Sequence, residues 1–170
     1  MADIRYKNKN FNFVYRVSSI IYNKDKTKIL LFYGNNSDYY MLPGGKVKEL
    51  EESIEAIKRE IYEELGFTNL NFKYIGISEE IIKEEKNFIH ELTITYECIY
   101  DKDIFLDDFK SQESDWINFK WININEIDNY KIHPSKIRQF LNYENHHIIE
   151  KNIWYYTVTN LFKCNKNVIK

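Results

Sequence analysis

The chain has 170 residues, 44% of them hydrophobic, which suits one domain over 1–170, large enough to bury roughly 70% of the surface its unfolded form exposes. Lys plus Arg number 24 against 26 Asp plus Glu, so no positive excess exists to track a polynucleotide backbone and a long nucleic-acid substrate is disfavoured. The N-terminus MADIRYKNKNFNF lacks an apolar leader core and no later run approaches about 18 apolar residues, which points to a soluble, cytoplasmic protein without a membrane span.

In chain order, Phe13 to Tyr22 and Lys28 to Tyr33 are rich in β-branched and aromatic residues around a polar Asn23-Lys24-Asp25-Lys26 turn, and are expected to pair as an antiparallel hairpin. A polar loop, Gly34 to Asp38, leads to the short extended run Tyr39 to Leu42, and Pro43-Gly44-Gly45 makes a bend where the backbone can approach an ion or a phosphate. Tyr33 and Tyr40 are candidates to offer a ring to a nucleobase, although aromatics here also serve as core or rim. Next comes a helix, with Ser53 as expected N-cap, Glu55 in its first turn and Gly66 at its left-handed end. Ile54, Ile57, Ile61 and Leu65 fall within an arc of roughly 80° and form its packing face. Glu60, Glu63 and Glu64 share a neighbouring arc of roughly 100°, with no cation expected between them. Glu-rich helices are often merely solvated, but crowded carboxylates next to a glycine bend suit a hard divalent cation, Mg²⁺ or Mn²⁺.

Beyond the helix, Asn71 to Ser78 and Phe88 to Tyr100 read as strands, the second alternating Leu92, Ile94, Tyr96, Cys98 and Tyr100 against a polar face of Glu91, Thr93, Thr95 and Glu97 that could line a cleft. The acidic loop Asp101 to Asp115 precedes a strand at Ile117 to Ile122 and a helical turn at Asn125 to Asp128. Lys136 to Leu141 follows His133-Pro134-Ser135 as a helix with Pro in its first turn, burying Ile137, Phe140 and Leu141. Residues from Ile148 are expected to add a strand or helix anchored by Trp154, with His146 and His147 at the surface. Cys98 and Cys164 have no metal-like spacing and are expected as free thiols in a reducing compartment.

One stretch has further meaning. Gly45, Glu51, Arg59-Glu60-Ile61, Glu63-Glu64 and Gly66-Phe67 stand at the defined positions of a 23-residue pattern, and in this the chain resembles the Nudix hydrolases at every fixed position of their box. The resemblance implies an α/β (α+β) fold, a Nudix-type α/β/α sandwich with a mixed sheet, and Mg²⁺- or Mn²⁺-assisted attack of water on a pyrophosphate. It assigns the Gly44 carbonyl, Glu60, Glu64 and Glu63 as metal ligands, Arg59 as an orienter of carboxylates, and Glu51 and Gly45 as supports behind them. The base comes from Glu63 or from the acidic loop, where Glu113 is the first candidate and Asp115 the fallback. His90-Glu91 resembles a pair found toward the substrate side in some members, so Glu91 joins Tyr33 and Tyr40 as a substrate-binding candidate. The substrate is then a small nucleotide, a nucleoside triphosphate, nucleotide sugar or ADP-ribose, acted on by a monomer or homodimer. A module that uses the fold to bind a nucleotide without cleaving it is the alternative.

Overall fold

The computed structural model describes residues 1–84, 86–102, 107–133, 137–141, 148–149, 155–158 and 164–165. Strand β1 (Arg5–Lys7) leads into β2 (Phe11–Asn23), β3 (Lys28–Gly34), β4 (Tyr39–Met41) and β5 (Gly44–Lys46), and helix α1 (Ser53–Leu65) follows. Then come β6 (Lys73–Glu84), β7 (Asn87–Tyr100), β8 (Phe109–Lys110), β9 (Ile117–Asn123), a 3₁₀ turn (Ile124–Asn129), β10 (Lys131–His133) and α2 (Ile137–Leu141). The short strands β11 (Ile148–Ile149), β12 (Tyr155–Val158) and β13 (Cys164–Asn165) complete the described residues.

These strands form one mixed sheet whose spine is β2. It pairs in parallel with β7, from Phe11 opposite Phe88 to Asn23 opposite Tyr100, and antiparallel with β3, where Ile21 faces Leu30 across the expected hairpin. Strand β6 is longer than its sequence suggests. Its antiparallel ladder with β7 continues to Glu84 opposite Asn87, because Glu79 to Lys83 find partners in Leu92 to Phe88. Beyond Ile148 the described elements are strands, β11 and β12 both parallel to β6. Pro134 to Lys136, His146, His147 and Trp154 lie outside the described residues, as do the side chains of Phe140 and Cys164.

Alternation along β2 and β3 builds two cores. Val17, Ile21, Leu30 and Phe32 face α1, meeting Ala56, Ile57, Ile61 and Leu65, whereas Ile20, Tyr22, Ile29 and Leu31 face Ile127, Ile132 and Ile137. Both faces are covered, which is why these strands read as nearly continuous apolar runs. Ile57 and Ile61 are fully buried, each contributing roughly 1.5–3 kcal/mol of apolar transfer free energy, so the box helix is seated by its Ile face.

The helix ends differ from expectation at one terminus. Its N-cap is Glu52, without a side-chain cap bond, and Ser53 already lies inside the first turn, where its hydroxyl hydrogen-bonds the Tyr96 hydroxyl at 2.7 Å. A tertiary partner thus takes the oxygen that would have capped the helix. At the other end Gly66 is left-handed, φ 68°, and its N–H donates to the Tyr62 carbonyl. Among the described residues no helix is long and apolar enough to cross a membrane.

Candidate active site

The acidic face of α1 is organised by Arg59. Its Nε and Nη2 donate to the two oxygens of Glu51 at 2.7 and 2.9 Å, and Nη1 donates to Glu60 at 2.6 Å and Glu63 at 3.0 Å. Nη2 also reaches the Lys46 carbonyl at 3.0 Å. A cation therefore does stand among the crowded carboxylates, contrary to the helical-wheel expectation: a guanidinium is long enough to fold back between residues one and four positions along. Its hydrogen bonds hold the Glu51 carboxyl down at a pKa of about 2, and Glu51 in turn accepts the Lys48 N–H at 2.8 Å, closing the loop before the helix.

Glu60 and Glu64 lie deeper. Burial, opposed by Arg59, raises the Glu60 pKa, and burial followed by the Glu60 charge pushes Glu64 up to about 8. Glu64 meets the Gly44 backbone N–H, yet its Oε2 is buried without a hydrogen-bond partner. Glycine is required at both bend positions for reasons of space: a Cβ on Gly44, whose φ is 141°, would collide with the Val17 carbonyl, and one on Gly45 would overlap the Glu60 carboxylate. The acidic loop docks on the end of α1, with the Gln112 N–H donating to the Glu64 carbonyl at 2.8 Å and the Ser111 hydroxyl to the same oxygen at 3.3 Å. This brings Glu113 close enough for its charge to act on both Glu60 and Glu64. Asp115 instead is fully exposed and pairs loosely with Lys110 at 3.9 Å.

A second charged group occupies a recess beside the glycine bend. Arg16 and Ser18 of β2, Glu80 of β6, Glu91 and Thr93 of β7, and His133 of β10 line it. Glu91 is held by Arg16 at 3.5 Å and by the Thr93 hydroxyl at 3.0 Å, and His133 Nε2 stands 2.9 Å from Glu80 Oε2. Burial works to lower the His133 pKa, but the Glu80 and Glu91 carboxylates outweigh it and the net shift is upward. Glu80, Glu91 and His133 offer ligand atoms within 4.8 Å of one another, spacing that a metal ion could use, but the Arg16 guanidinium already supplies a cation there. The polar face of β7 thus lines a cleft as expected, though Thr93 and Thr95 are buried rather than open.

Tyr33 and Tyr40 pack on each other at 5.2 Å, Tyr40 meets Tyr130 edge-on, and the Tyr33 hydroxyl donates to Asp108 at 2.6 Å. His90, next to Glu91, is turned away from the recess to Glu79, 2.7 Å distant.

A description of the NUDIX domain matches residues 13–143. The chain belongs to the NUDIX family. Over 79 residues, 43% of this chain, it is 37% identical to the 8-oxo-dGTP diphosphatase of Buchnera aphidicola subsp. Schizaphis graminum, spanning 61% of that relative's length. The MutT protein of Bacillus halodurans superposes with a TM-score of 0.64 at 18% identity, covering 90% of this chain and 95% of its own. The dihydroneopterin triphosphate pyrophosphohydrolase of E. coli gives 0.60 at 14% identity, covering 76% and 93%. At such identities the superpositions show the fold, and it is the sandwich that the box implied.

The NUDIX fold brings Gly44, Gly45, Glu51, Arg59, Glu60, Glu63, Glu64 and Glu113 into one neighbourhood, and Glu91 into the adjoining recess. Tyr33 and Tyr40 form an aromatic group of their own. Sequence reasoning missed Arg16, Glu80 and His133. Their only common signal is position on strands, and nothing in their spacing announces that β2, β6, β7 and β10 meet.

Proposed function

We propose that this NUDIX chain hydrolyses the pyrophosphate linkage of a nucleoside diphosphate joined to a further group, with Mg²⁺ or Mn²⁺ as its cofactor. The observation that carries the reading is Glu64 Oε2, a buried carboxylate oxygen with no donor, next to Glu60 and within the field of Glu113. Such an oxygen is costly unless a proton or a cation satisfies it, and the all-oxygen donor set fits a hard divalent ion. Glu60, Glu64, Glu63 and the Gly44 carbonyl would hold the ion. When bound it supplies charge neutralisation at the phosphates and a water of lowered pKa.

The chain's own groups do the rest. Arg59, with its donors committed to Glu51, Glu60, Glu63 and Lys46, fixes carboxylate directions and has none left for substrate. The attacking water gives its proton to a carboxylate as its oxygen bonds to phosphorus, and the phosphorus–oxygen bond to the leaving phosphate breaks. Glu63 is already engaged by Arg59 at 3.0 Å and approached by Lys48 at 3.9 Å, whereas Glu113 lies on the loop docked against Glu64, which favours Glu113 as proton acceptor. The name of the bacterial relative favours a nucleoside triphosphate over a nucleotide sugar or ADP-ribose. A non-hydrolytic binding module is disfavoured because every box carboxylate is retained.

The reading is tested by assaying product release from a panel of nucleoside triphosphates, nucleotide sugars and ADP-ribose with Mg²⁺ and with chelator. Glu64→Gln is expected to lower kcat on the order of 10³-fold while the protein stays folded. Undiminished hydrolysis by that variant rules out the site.

A further inference from the structure

The loop that carries Glu113 is held in two separate ways. Its backbone docks it: the Gln112 N–H donates to the Glu64 carbonyl at 2.8 Å, the Ser111 N–H to the Ile117 carbonyl at 3.0 Å, and the Ile117 N–H to the Ser114 carbonyl at 3.3 Å. The Ser111 hydroxyl adds something different. Ser111 is only 8% exposed, and its oxygen stands between the Glu64 carbonyl, to which it donates at 3.3 Å, and the Glu113 N–H, which donates to it at 3.2 Å. A hydroxyl has one proton to give and lone pairs to receive, so this oxygen makes both bonds at once. The amide of Glu113 is tied through it to the last turn of α1.

Direction matters more at Glu113 than at the box acids. Arg59 grips Glu60 and Glu63, and Glu64 is buried, whereas Glu113 is exposed, so the direction of its side chain starts from the backbone that bears it. A hydroxyl that accepts the N–H two residues on is a turn device that fixes such a backbone. Asp115, in the same loop, is fully exposed and only loosely paired with Lys110 at 3.9 Å. Glu113 instead lies near enough to Glu60 and Glu64 for its charge to act on both.

We infer that Ser111 is a positioning residue for the proton transfer: its hydroxyl fixes the Glu113 backbone and thereby directs the carboxylate toward the attacking water. The inference rests on the hydrolase reading above and on Glu113 as the proton acceptor. The proton of the water passes to Glu113 as its oxygen bonds to phosphorus and the bond to the leaving phosphate breaks. A misdirected acceptor slows that step and leaves the holding of substrate and ion untouched. The Gln112 N–H keeps the loop docked when the hydroxyl is removed.

The test is a double-mutant cycle on the best substrate of the panel, with Mn²⁺ titrated calorimetrically into wild type and Ser111→Ala. Ser111→Ala is expected to lower kcat about tenfold, with KM and the Mn²⁺ Kd within about twofold of wild type. Glu113→Gln is expected to lower kcat on the order of 10²-fold. In that background Ser111→Ala should change kcat by less than about twofold, since no acid is left to direct. An undiminished kcat in Ser111→Ala, equal losses in both backgrounds, or Mn²⁺ affinity falling in step with kcat overturns the inference, because the hydroxyl would then be inert or a support of Glu64. Full activity of Glu113→Gln places the base elsewhere and overturns it too, while hydrolysis itself stands. A wild type that turns over no member of the panel sinks the hydrolase reading and this inference together. Should the alanine variant not fold, Ser111→Cys, closest in shape but with a weakly accepting sulfur, takes its place with the same expected ratios.

Discussion

Two arginines stand among carboxylates in this molecule, and their surroundings differ: one guanidinium is filled by its own chain, the other lines an open recess. Arg59 makes five hydrogen-bonded contacts, all to its own chain and all between 2.6 and 3.0 Å. Arg16 lines an open recess and approaches Glu91 at 3.5 Å. The buried carboxylates differ too: Glu64 Oε2 by the box has no hydrogen-bond partner, whereas Glu80 Oε2 in the recess stands 2.9 Å from His133 Nε2. A guanidinium whose fork is filled internally fixes geometry, while one held by a loose pair keeps directions open for a guest.

The strongest way to break this contrast is to remove Arg59. Arg59→Ala leaves Glu51, 9% exposed at its side chain, without its bidentate partner, and is expected to cost about 3 kcal/mol of unfolding free energy in urea titrations. A loss no larger than that of a surface lysine would make Arg59 dispensable as scaffold. Acid unfolding probes the same pair more gently. The Glu51 pKa is lowered from 4.5 to about 2, so its stabilisation is fully present above the unfolded value and is lost as pH falls from 4.5 through about 2. That limb should be worth on the order of 2 kcal/mol and should flatten in Glu51→Gln, which melting temperatures measured from pH 6 to pH 2 would show. The smallest effect is expected at the other arginine. Arg16→Lys should change stability by less than about 1 kcal/mol, because a 3.5 Å pair with partly exposed partners contributes little. A larger loss would make Arg16 a second scaffold and remove the contrast.

The same contrast decides what was legible in the sequence. The box could be read because its geometry is local: helical periodicity places Ile57 and Ile61 under the helix, and the fixed spacing from Gly45 to Glu64 puts all the carboxylates within one loop and one helix. Even there two details escaped. Ser53 is diverted by Tyr96, and Arg59 folds between Glu60 and Glu63, both consequences of side chains choosing tertiary partners over the nearest ones. The recess draws on β2, β6, β7 and β10, whose proximity depends on a parallel pairing and on an edge strand, features that alternation of polar and apolar residues does not encode. Alternation did mark Glu91 as cleft-facing, while His133 read only as the lead-in to a helix and its strand partner Met41 was not foreseeable. Tyr33 was a candidate either for a ligand or for a rim aromatic; its hydroxyl is given to Asp108 and its ring packs on Tyr40.

The left-handed turn at Gly66 has a consequence beyond ending a helix. The Gln112 side chain occupies the space where a Cβ on Gly66 would stand, while the Gln112 backbone is tied to the carbonyl of Glu64. A loop almost fifty positions downstream is in this way moored to the last turn of the box, and the Glu113 N–H donates to the Ser111 hydroxyl, which in turn meets the Glu64 carbonyl. A side chain at position 66 would push against Gln112, so the glycine that ends the helix also leaves room for the loop that carries Glu113.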